Sequence, residues 1–428
     1  MSILFENCTV IASDEVLTGV YLGVNGEHID YLSKDKPEKR YDSIKNMSGK
    51  VIVPGLYNCH THTPMVLLRG VGSDLPLNEW LFDKIFPVED RLTPAYIKTG
   101  SELALLEMIA SGTVSFSDMY FEPGETIEAV VNAGMKANIC RPVQSFDPNE
   151  KVEDSFRIKQ SLELFEKYNG FADGKILVDF CIHAEYTCNE RITRAYSEIC
   201  SDKKGNMHIH LSETDKEHNE CIAKYGCTPA EWFLKLGAFD SRAFAAHCVA
   251  LSDNDMDIIK SHDISIVHNP TSNMKLGSGF APVQKFIDKG INVTLGTDGA
   301  ASNNNLNMLE EMHLASVIHN GFMKDATVMK PRDILKMVSI NGAKLQGRES
   351  CGEIKVGNKA DICAVSLEAP HMHPVLDVPA LITYSAQGSD VCMTMCDGKI
   401  LYENGEYKTL DKERIYFDVD KCVKELYS

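Results

Sequence analysis

The chain of 428 residues has no apolar run of about 18 residues or more, which argues against a membrane-spanning helix. Lys and Arg are missing before Lys34, so the opening MSILFENCTVIASDEVLTG lacks the basic start of a secretory signal. Basic charge is short overall. Against 61 Asp and Glu stand 43 Lys and Arg, a formal charge of -18 that argues against nucleic acid or an anionic membrane as partner. Of the 14 cysteines none forms a CxxC pair; Cys392 and Cys396 in CMTMC have three residues between them. Without an export signal these read as reduced, mostly buried small hydrophobes, and a cytoplasmic location is expected. Repeats, low-complexity tracts and flexible linkers are lacking too. What is there is an ordinary globular composition, 44% hydrophobic and 24% charged. The length suits one large α/β domain plus a smaller one, or two to three ordinary domains.

The opening residues alternate apolar and polar positions, and VYLGVNGEHIDYL sets Asn25-Gly26 between two such runs, a hairpin signal. From residue 56 the texture changes. Short apolar runs (GTVSFSDMY, MKANICRPV, KILVDFCIH, NMHIHLSE, AFAAHCV, ISIVHNP, INVTLGTDG) alternate with segments apolar at helical spacing and ended by glycine, such as AYIKTGSELALLEMIASG. Seven or eight buried strands separated by helices predict an α/β fold, a (β/α)8 TIM-type barrel over 56–351. After GEIKVGNKADICAV the alternation returns, with a second hairpin signal at Asn404-Gly405. The expected organisation is that barrel flanked by a small β-sandwich domain built from both chain ends, 1–55 and 352–428.

The stretch VIVPGLYNCHTHTPMVLLRG ends a buried-strand run on two histidines. Residues i and i+2 of a strand share a face, so His60 and His62 present imidazoles side by side, as a metal site needs. An H-x-H arises easily by chance among 14 histidines, so further ligands must come from elsewhere. In a barrel the functional residues sit at the C-terminal strand ends. There NMHIHLSET offers His208, His210 and Glu213, AFAAHCVAL offers His247, and ISIVHNPTSNMKLG offers His268. LVDFCIHAEYTC adds His183 and INVTLGTDGAASNN adds Asp298. Each alone reads as a satisfied core or loop residue; their convergence on one end of a barrel does not. An ionised, buried Asp298 is costly unless a cation meets it. His60, His62, a third histidine and Asp298 form a mixed N/O shell with room for water, suited to Zn²⁺, with Fe or Mn as alternatives. His208 and His210 share a strand face, and the very strand end favours His210. Glu213 follows close enough to exchange protons with the water, whose pKa the metal lowers. The expected chemistry is hydrolysis at an electrophilic carbon.

In this order, PGLYNCHTHTPMVLLRG, LPLNEWL, HIHLSET, AAHCVAL, HNPTSNMKLGSGFAPV and LGTDGAASNNN resemble the amidohydrolase superfamily. Within it they are similar to the 5′-methylthioadenosine/S-adenosylhomocysteine deaminases and the related chlorohydrolases, over essentially the whole chain. The resemblance implies one divalent metal on His60, His62, His210 and Asp298; no lysine stands where two-metal members keep a bridging carbamate. It implies Glu213 as proton shuttle, His247 as the group that polarises the attacking hydroxide, and Asp298 as catalytic besides ligating. Toward the substrate it implies Glu89 (FPVED) on the ribose hydroxyls, Trp80 beside the nucleoside, and His183 and Glu213 on the purine. Arg141 and Arg157 would hold an amino-acid carboxylate. Read alone, Trp80 suits a helix-face core position, Glu89 a solvated helix start and Arg157 a surface arginine. His268 is expected to support the pocket and Lys275 to be a solvated charge. One departure stands out: Ala184-Glu185 follows His183 where the family usually has Ser-Pro, adding a negative charge near the pocket. The implied reaction is hydrolytic deamination of S-adenosylhomocysteine and/or 5′-methylthioadenosine, with adenosine a further candidate, by attack at purine C6. The alternative is a deaminase or chlorohydrolase of another purine, a pterin or a triazine, against which a ribose-gripping Glu89 argues. The implied partner is a small-molecule purine nucleoside, with no nucleic acid and no membrane, and a homo-oligomer (dimer or tetramer) is expected.

Overall fold

The computed structural model describes residues 2–12 and 15–428. The chain opens with five strands: β1 (Ser2–Ala12), β2 (Glu15–Asn25), β3 (His28–Ser33), β4 (Ser43–Asn46) and β5 (Lys50–Pro54). The first hairpin sits one residue later than its sequence signal. Asn25 pairs with His28, so Gly26-Glu27 fill the loop and Gly26 takes the positive φ of 59°. Glycine leads such two-residue turns because it reaches positive φ without a steric cost.

Parallel strands follow, alternating with helices. β6 (Leu56–Thr61), β7 (Thr113–Met119), β8 (Lys136–Cys140) and β9 (Ile176–Val178) form one ladder. β10 (Phe180–Ile182), β11 (Asn206–Leu211), β12 (Arg242–His247), β13 (Ser265–His268) and β14 (Val293–Leu295) form another. β9 and β10 are halves of one strand interrupted at Asp179, whose buried carboxylate accepts from Asn138 and Asn206. The parallel strands thus agree with the seven or eight foreseen. Every residue of β7 and β8 is buried, as strands covered on both faces require. β14 runs beside β6 through side chains: Asn58 Nδ2 donates to Thr297 Oγ1 (2.7 Å) and Thr297 N to Asn58 Oδ1 (3.0 Å). One backbone bond joins them, from Asp298 N to His60 O at 2.9 Å. This places the ends of β6 and β14, and hence His60 and Asp298, together.

The last strands, β15 (Ile362–Ser366), β16 (Val391–Cys396), β17 (Lys399–Glu403) and β18 (Glu406–Tyr407), return to the first five. The order is β18-β17-β16-β15-β5-β1-β2-β3, with β4 on β1, one continuous nine-stranded sheet. Here Asn404-Gly405 is the hairpin loop itself, both residues at positive φ (48° and 89°). A helix absent from the sequence reading ends the chain. Lys412–Leu426 buries Ile415, Cys422 and Leu426 along one face and lies on the helix Pro94–Ala110 of the parallel-strand body. Arg414 Nη2 fastens it to Glu102 Oε1 at 2.9 Å.

Sheet and parallel body meet over a buried ion cluster. Lys136 Nζ, at the start of β8, lies 2.6 Å from both Asp361 oxygens and 2.7 Å from Asp397 Oδ1. The Tyr57 hydroxyl donates to Asp361 Oδ2 (3.1 Å), and Lys175 pairs with Asp397. Most cysteines are buried and all are free, as expected of small hydrophobes. Among the described residues no helix is long and apolar enough to cross a membrane.

Candidate active site

The strand ends bring imidazoles together with their protons pointing outward. His62 Nδ1 lies 2.6 Å from Met119 O and His210 Nδ1 lies 2.8 Å from His183 O. A carbonyl only accepts, so each Nδ1 carries the proton and each Nε2 is left with a bare lone pair. Those two Nε2 atoms face each other at 3.4 Å. His60 Nδ1 meets His208 Nε2 at 2.9 Å, and His60 Nε2 is buried without a partner. His247 Nδ1 is held by Asn273 Oδ1 at 2.9 Å, which turns its Nε2 inward as well. Lone pairs crowded this way repel one another unless a cation sits between them. The side-chain atoms of His60, His62 and His210 that could bind a metal lie within 4.8 Å of one another, as do those of His60, His247 and Asp298.

Asp298 completes the cluster. Its Oδ1 is 3.2 Å from His62 Nε2 and 3.5 Å from His60 Nε2, while Oδ2 accepts from Ser272 Oγ (2.7 Å) and Ser302 Oγ (2.6 Å). Burial acts to raise its pKa; the His60 and His62 imidazoles beside it outweigh that and hold the carboxyl well below the usual range. Burial likewise acts to lower the pKa of His62, and the Asp298 contact pushes it up to about 9. His60, with desolvation dominant, falls to about 4. Asp298 thus demands positive charge beside it, a proton on His62 or a metal ion. The backbone is strained where these groups leave their strands: φ is +71° at His247, +60° at Asp298 and +46° at Ser212. Gly299 follows, where a Cβ would come within 2.8 Å of Met65 Sδ and 3.2 Å of His62 Cβ and would push the Met65 side chain aside.

A cavity opens over the cluster. His62, His210, His247 and Asp298 form its floor, and Trp80, Glu89, His183 and Glu213 stand in its walls among apolar Leu77, Leu81, Phe86, Phe121 and Leu276. Glu213 Oε2 is 3.7 Å from His247 Nε2. Burial, with help from Asp298 and Glu217, raises the Glu213 carboxyl from 4.5 to about 7.

Residues 51–401 match the Amidohydrolase family. The chain belongs to that family. It is 44% identical to the 5-methylthioadenosine/S-adenosylhomocysteine deaminase of Acetivibrio thermocellus, over 100% of both chains. To the 5′-deoxyadenosine deaminase of Methanosarcina acetivorans it is 40% identical, over 98% of this chain and 94% of that protein. Among solved structures, an adenosine deaminase from Xanthomonas campestris with bound zinc superposes with a TM-score of 0.94 at 28% identity, over 99% of this chain and 98% of that one. The amidohydrolase therefore has the mixed α/β fold of TIM-barrel type.

Several expected residues of this amidohydrolase acquire definite settings. Glu89 accepts from the Tyr120 hydroxyl at 2.5 Å. Trp80 is 5% exposed, yet lines the cavity and donates Nε1–H to Val71 O, so it is both core and wall. The turn Trp80–Ile85 is π-helical, a widening common at functional sites. Burial lowers the His183 pKa to about 3, keeping the ring neutral. Arg141 and Arg157 do not line the cavity: Arg141 donates to Gln160 Oε1 and Pro142 O, and Arg157 stacks on Phe156. His268 pairs with His319 at 2.9 Å and does not line it either. Lys275 is no free charge, since Nζ donates to Ala301 O and so ties down the loop after Asp298. His208 lies beneath His60, its Nε2 2.9 Å from His60 Nδ1 and Cys140 Sγ 3.7 Å from its own Nδ1, so it orients the His60 ring. Sequence reasoning missed Asn273, Ser272 and Ser302, although all three lie in the quoted HNPTSNMKLG and GAASNNN stretches.

Proposed function

We propose that this amidohydrolase removes the 6-amino group of 5′-substituted adenosines by hydrolysis, releasing ammonia and the inosine analogue. S-Adenosylhomocysteine, 5′-methylthioadenosine and 5′-deoxyadenosine are the candidates, as the names of its relatives suggest. The observation that carries the reading is the inward convergence of bare imidazole nitrogens on Asp298, with Glu213 at the wall. His60, His62, His210 and Asp298 would hold one divalent metal, zinc first. When bound, it supplies a Lewis acid that lets water ionise near neutral pH. Glu213, with a pKa of about 7, takes one proton of the attacking water and passes it to the ring nitrogen beside C6, then takes the second from the new C6 hydroxyl and passes it to the amino group, which leaves as ammonia. His247, its Nε2 aimed inward, orients the attacking oxygen. His183, a neutral imidazole, hydrogen-bonds the purine, and Glu89, fixed by Tyr120, accepts the ribose hydroxyls. Trp80 and the apolar wall exclude water around the nucleoside.

We also read residues 56–351 as a closed (β/α)8 barrel, and 1–55 with 352–428 as a composite β-domain. The shared nine-stranded sheet supports the division, while Lys412–Leu426 sits on the barrel side. The test is ammonia release by metal-analysed protein against S-adenosylhomocysteine, 5′-methylthioadenosine, 5′-deoxyadenosine, adenosine, adenine, guanine and a chlorotriazine. Turnover of the 5′-substituted nucleosides with about one metal per chain is expected. Activity confined to the free bases or the triazine would overturn the reading. Arg141→Ala and Arg157→Ala should leave 5′-methylthioadenosine turnover unchanged; a loss confined to S-adenosylhomocysteine would restore those arginines to the binding site.

A further inference from the structure

The segment that departs from the family pattern carries an unexplained buried group. Glu185 is 2% exposed, so the charge expected near the pocket is instead packed away from water. It lies against Glu217, the third residue of the helix Asp215–Tyr225. In a capping box such a glutamate reaches back to the N–H of the capping residue. Glu217 reaches one residue further: Glu213 N donates to Glu217 Oε2 at 2.7 Å, while Thr214 Oγ1 accepts from Glu217 N at 3.1 Å. The backbone of Glu213 therefore hangs on the Glu217 carboxylate, just after Ser212 with its strained φ of +46°.

The remaining oxygens need each other. Glu217 Oε1 and Glu185 Oε2 are both buried, and no donor among the described residues meets either. Two carboxylates in buried contact do not both ionise; one keeps a proton and donates it to the other. Burial raises the Glu185 carboxyl far above the carboxylate range and the Glu217 charge raises it further, so the proton resides on Glu185. Facing the pair are Tyr186, Cys221, Cys248 and Lys224, with His247 and Glu213 beyond. Only Lys224 has a standing positive charge, and it is exposed.

We propose that Glu185 is a positioning residue: a neutral acid that donates to Glu217, so that the pair holds the backbone of Glu213 and with it the direction of the shuttling carboxylate. The Tyr186 ring that follows Glu185 lines the cavity, so the same turn supplies part of the wall. The kinetic consequence rests on the deaminase reading; the acid pair itself does not.

The test uses metal-loaded Glu185→Gln and Glu185→Met proteins. Glutamine keeps a donor toward Glu217, whereas methionine keeps volume and removes it. The infrared difference between wild type and Glu185→Gln at neutral pH should show loss of one protonated-carboxyl carbonyl stretch. Glu185→Met should lower kcat about tenfold, the cost of one buried acceptor left unmet, with KM within about twofold and a displaced acid limb in the pH–rate profile. Glu185→Gln should restore both the rate and the limb. Absence of the carbonyl band, or an unaltered rate and profile in Glu185→Met, overturns the proposal. Should Glu185→Met fail to fold, the infrared measurement on Glu185→Gln decides. Should no nucleoside be deaminated, that same band still answers for the pair, so the two failures are told apart.

Discussion

At the N-terminal ends of the parallel strands Lys136 and Lys175 meet Asp361 and Asp397 in a buried cluster whose charges answer one another. At the C-terminal ends His60, His62, His210, His247, Asp298 and Glu213 gather, and among the described residues lining that cavity there is no lysine or arginine. Both regions bury charge at a strand end, yet only one is complete in itself. A self-neutralised cluster joins the nine-stranded sheet to the parallel-strand body and needs nothing from solution. A cluster of imidazole nitrogens and carboxylates with no lysine or arginine beside it has the donor set of a cation site, and burial together with the contacts among these groups shifts their pKa values. The sharpest break between the regions should come from Glu213→Gln, which removes the shuttle and leaves the ligands. Metal analysis should find the ion retained while kcat falls by about 10² to 10⁴-fold. A Glu213→Gln enzyme of near-normal rate would refute that assignment.

The opposite break is Lys136→Met. Leaving Asp361 and Asp397 buried without that cation should cost about 3–5 kcal/mol in urea unfolding, with metal content and kcat of the surviving folded protein kept. Loss of the metal in that variant would mean the two ends are coupled. A smaller effect should follow His208→Phe, which keeps a ring under His60 and removes the hydrogen-bond partner of its Nδ1. Weakened hold on the His60 tautomer should lower metal affinity about 10- to 100-fold, read by chelator competition. Unchanged affinity would make His208 plain packing.

How much of this was legible beforehand differs by residue. His60 and His62 announced themselves through strand period, and Asp298 through its place after a β-branched run, because those signals are local. The preference for His210 over His208 rested on strand-end position, and His210 is the one whose Nε2 faces that of His62. The tautomers were not legible, since Met119 and His183 hold His62 and His210 through backbone carbonyls, which every residue has. The Glu185–Glu217 pair joins a turn to a separate helix, and no spacing rule links them. Arg141 and Arg157 matched a family pattern, but their side chains turn to Gln160, Pro142 and Phe156. The terminal helix was hidden by the strand-like texture before it.

The subtlest difference between the two ends lies in the sign of their pH dependence. Burial pushes Asp397 up, but Lys136 and Lys175 overcome it and hold the carboxyl down from 3.8 to about 2. Glu311 joins the two loops of the other end, accepting from Asn303 Nδ2 (2.7 Å) and Thr271 N (3.2 Å), donors that carry no charge. There burial prevails and the carboxyl rises from 4.5 to about 7. A pKa lowered on folding adds stability above the unfolded value, so the Asp397 contribution is lost as pH falls from 3.8 toward 2. A raised pKa does the reverse: the Glu311 contribution is whole below 4.5 and is lost as pH climbs through 7. Urea unfolding of wild type, Lys136→Met and Glu311→Gln across that range separates the two. Lys136→Met should flatten the acid-side rise, and Glu311→Gln should flatten the decline between 4.5 and 7. Taking each variant as a difference from wild type cancels the pH dependence of metal binding. If Glu311→Gln keeps the wild-type slope, Glu311 is ionised when folded, and some cation beyond its two neutral donors must be holding it so.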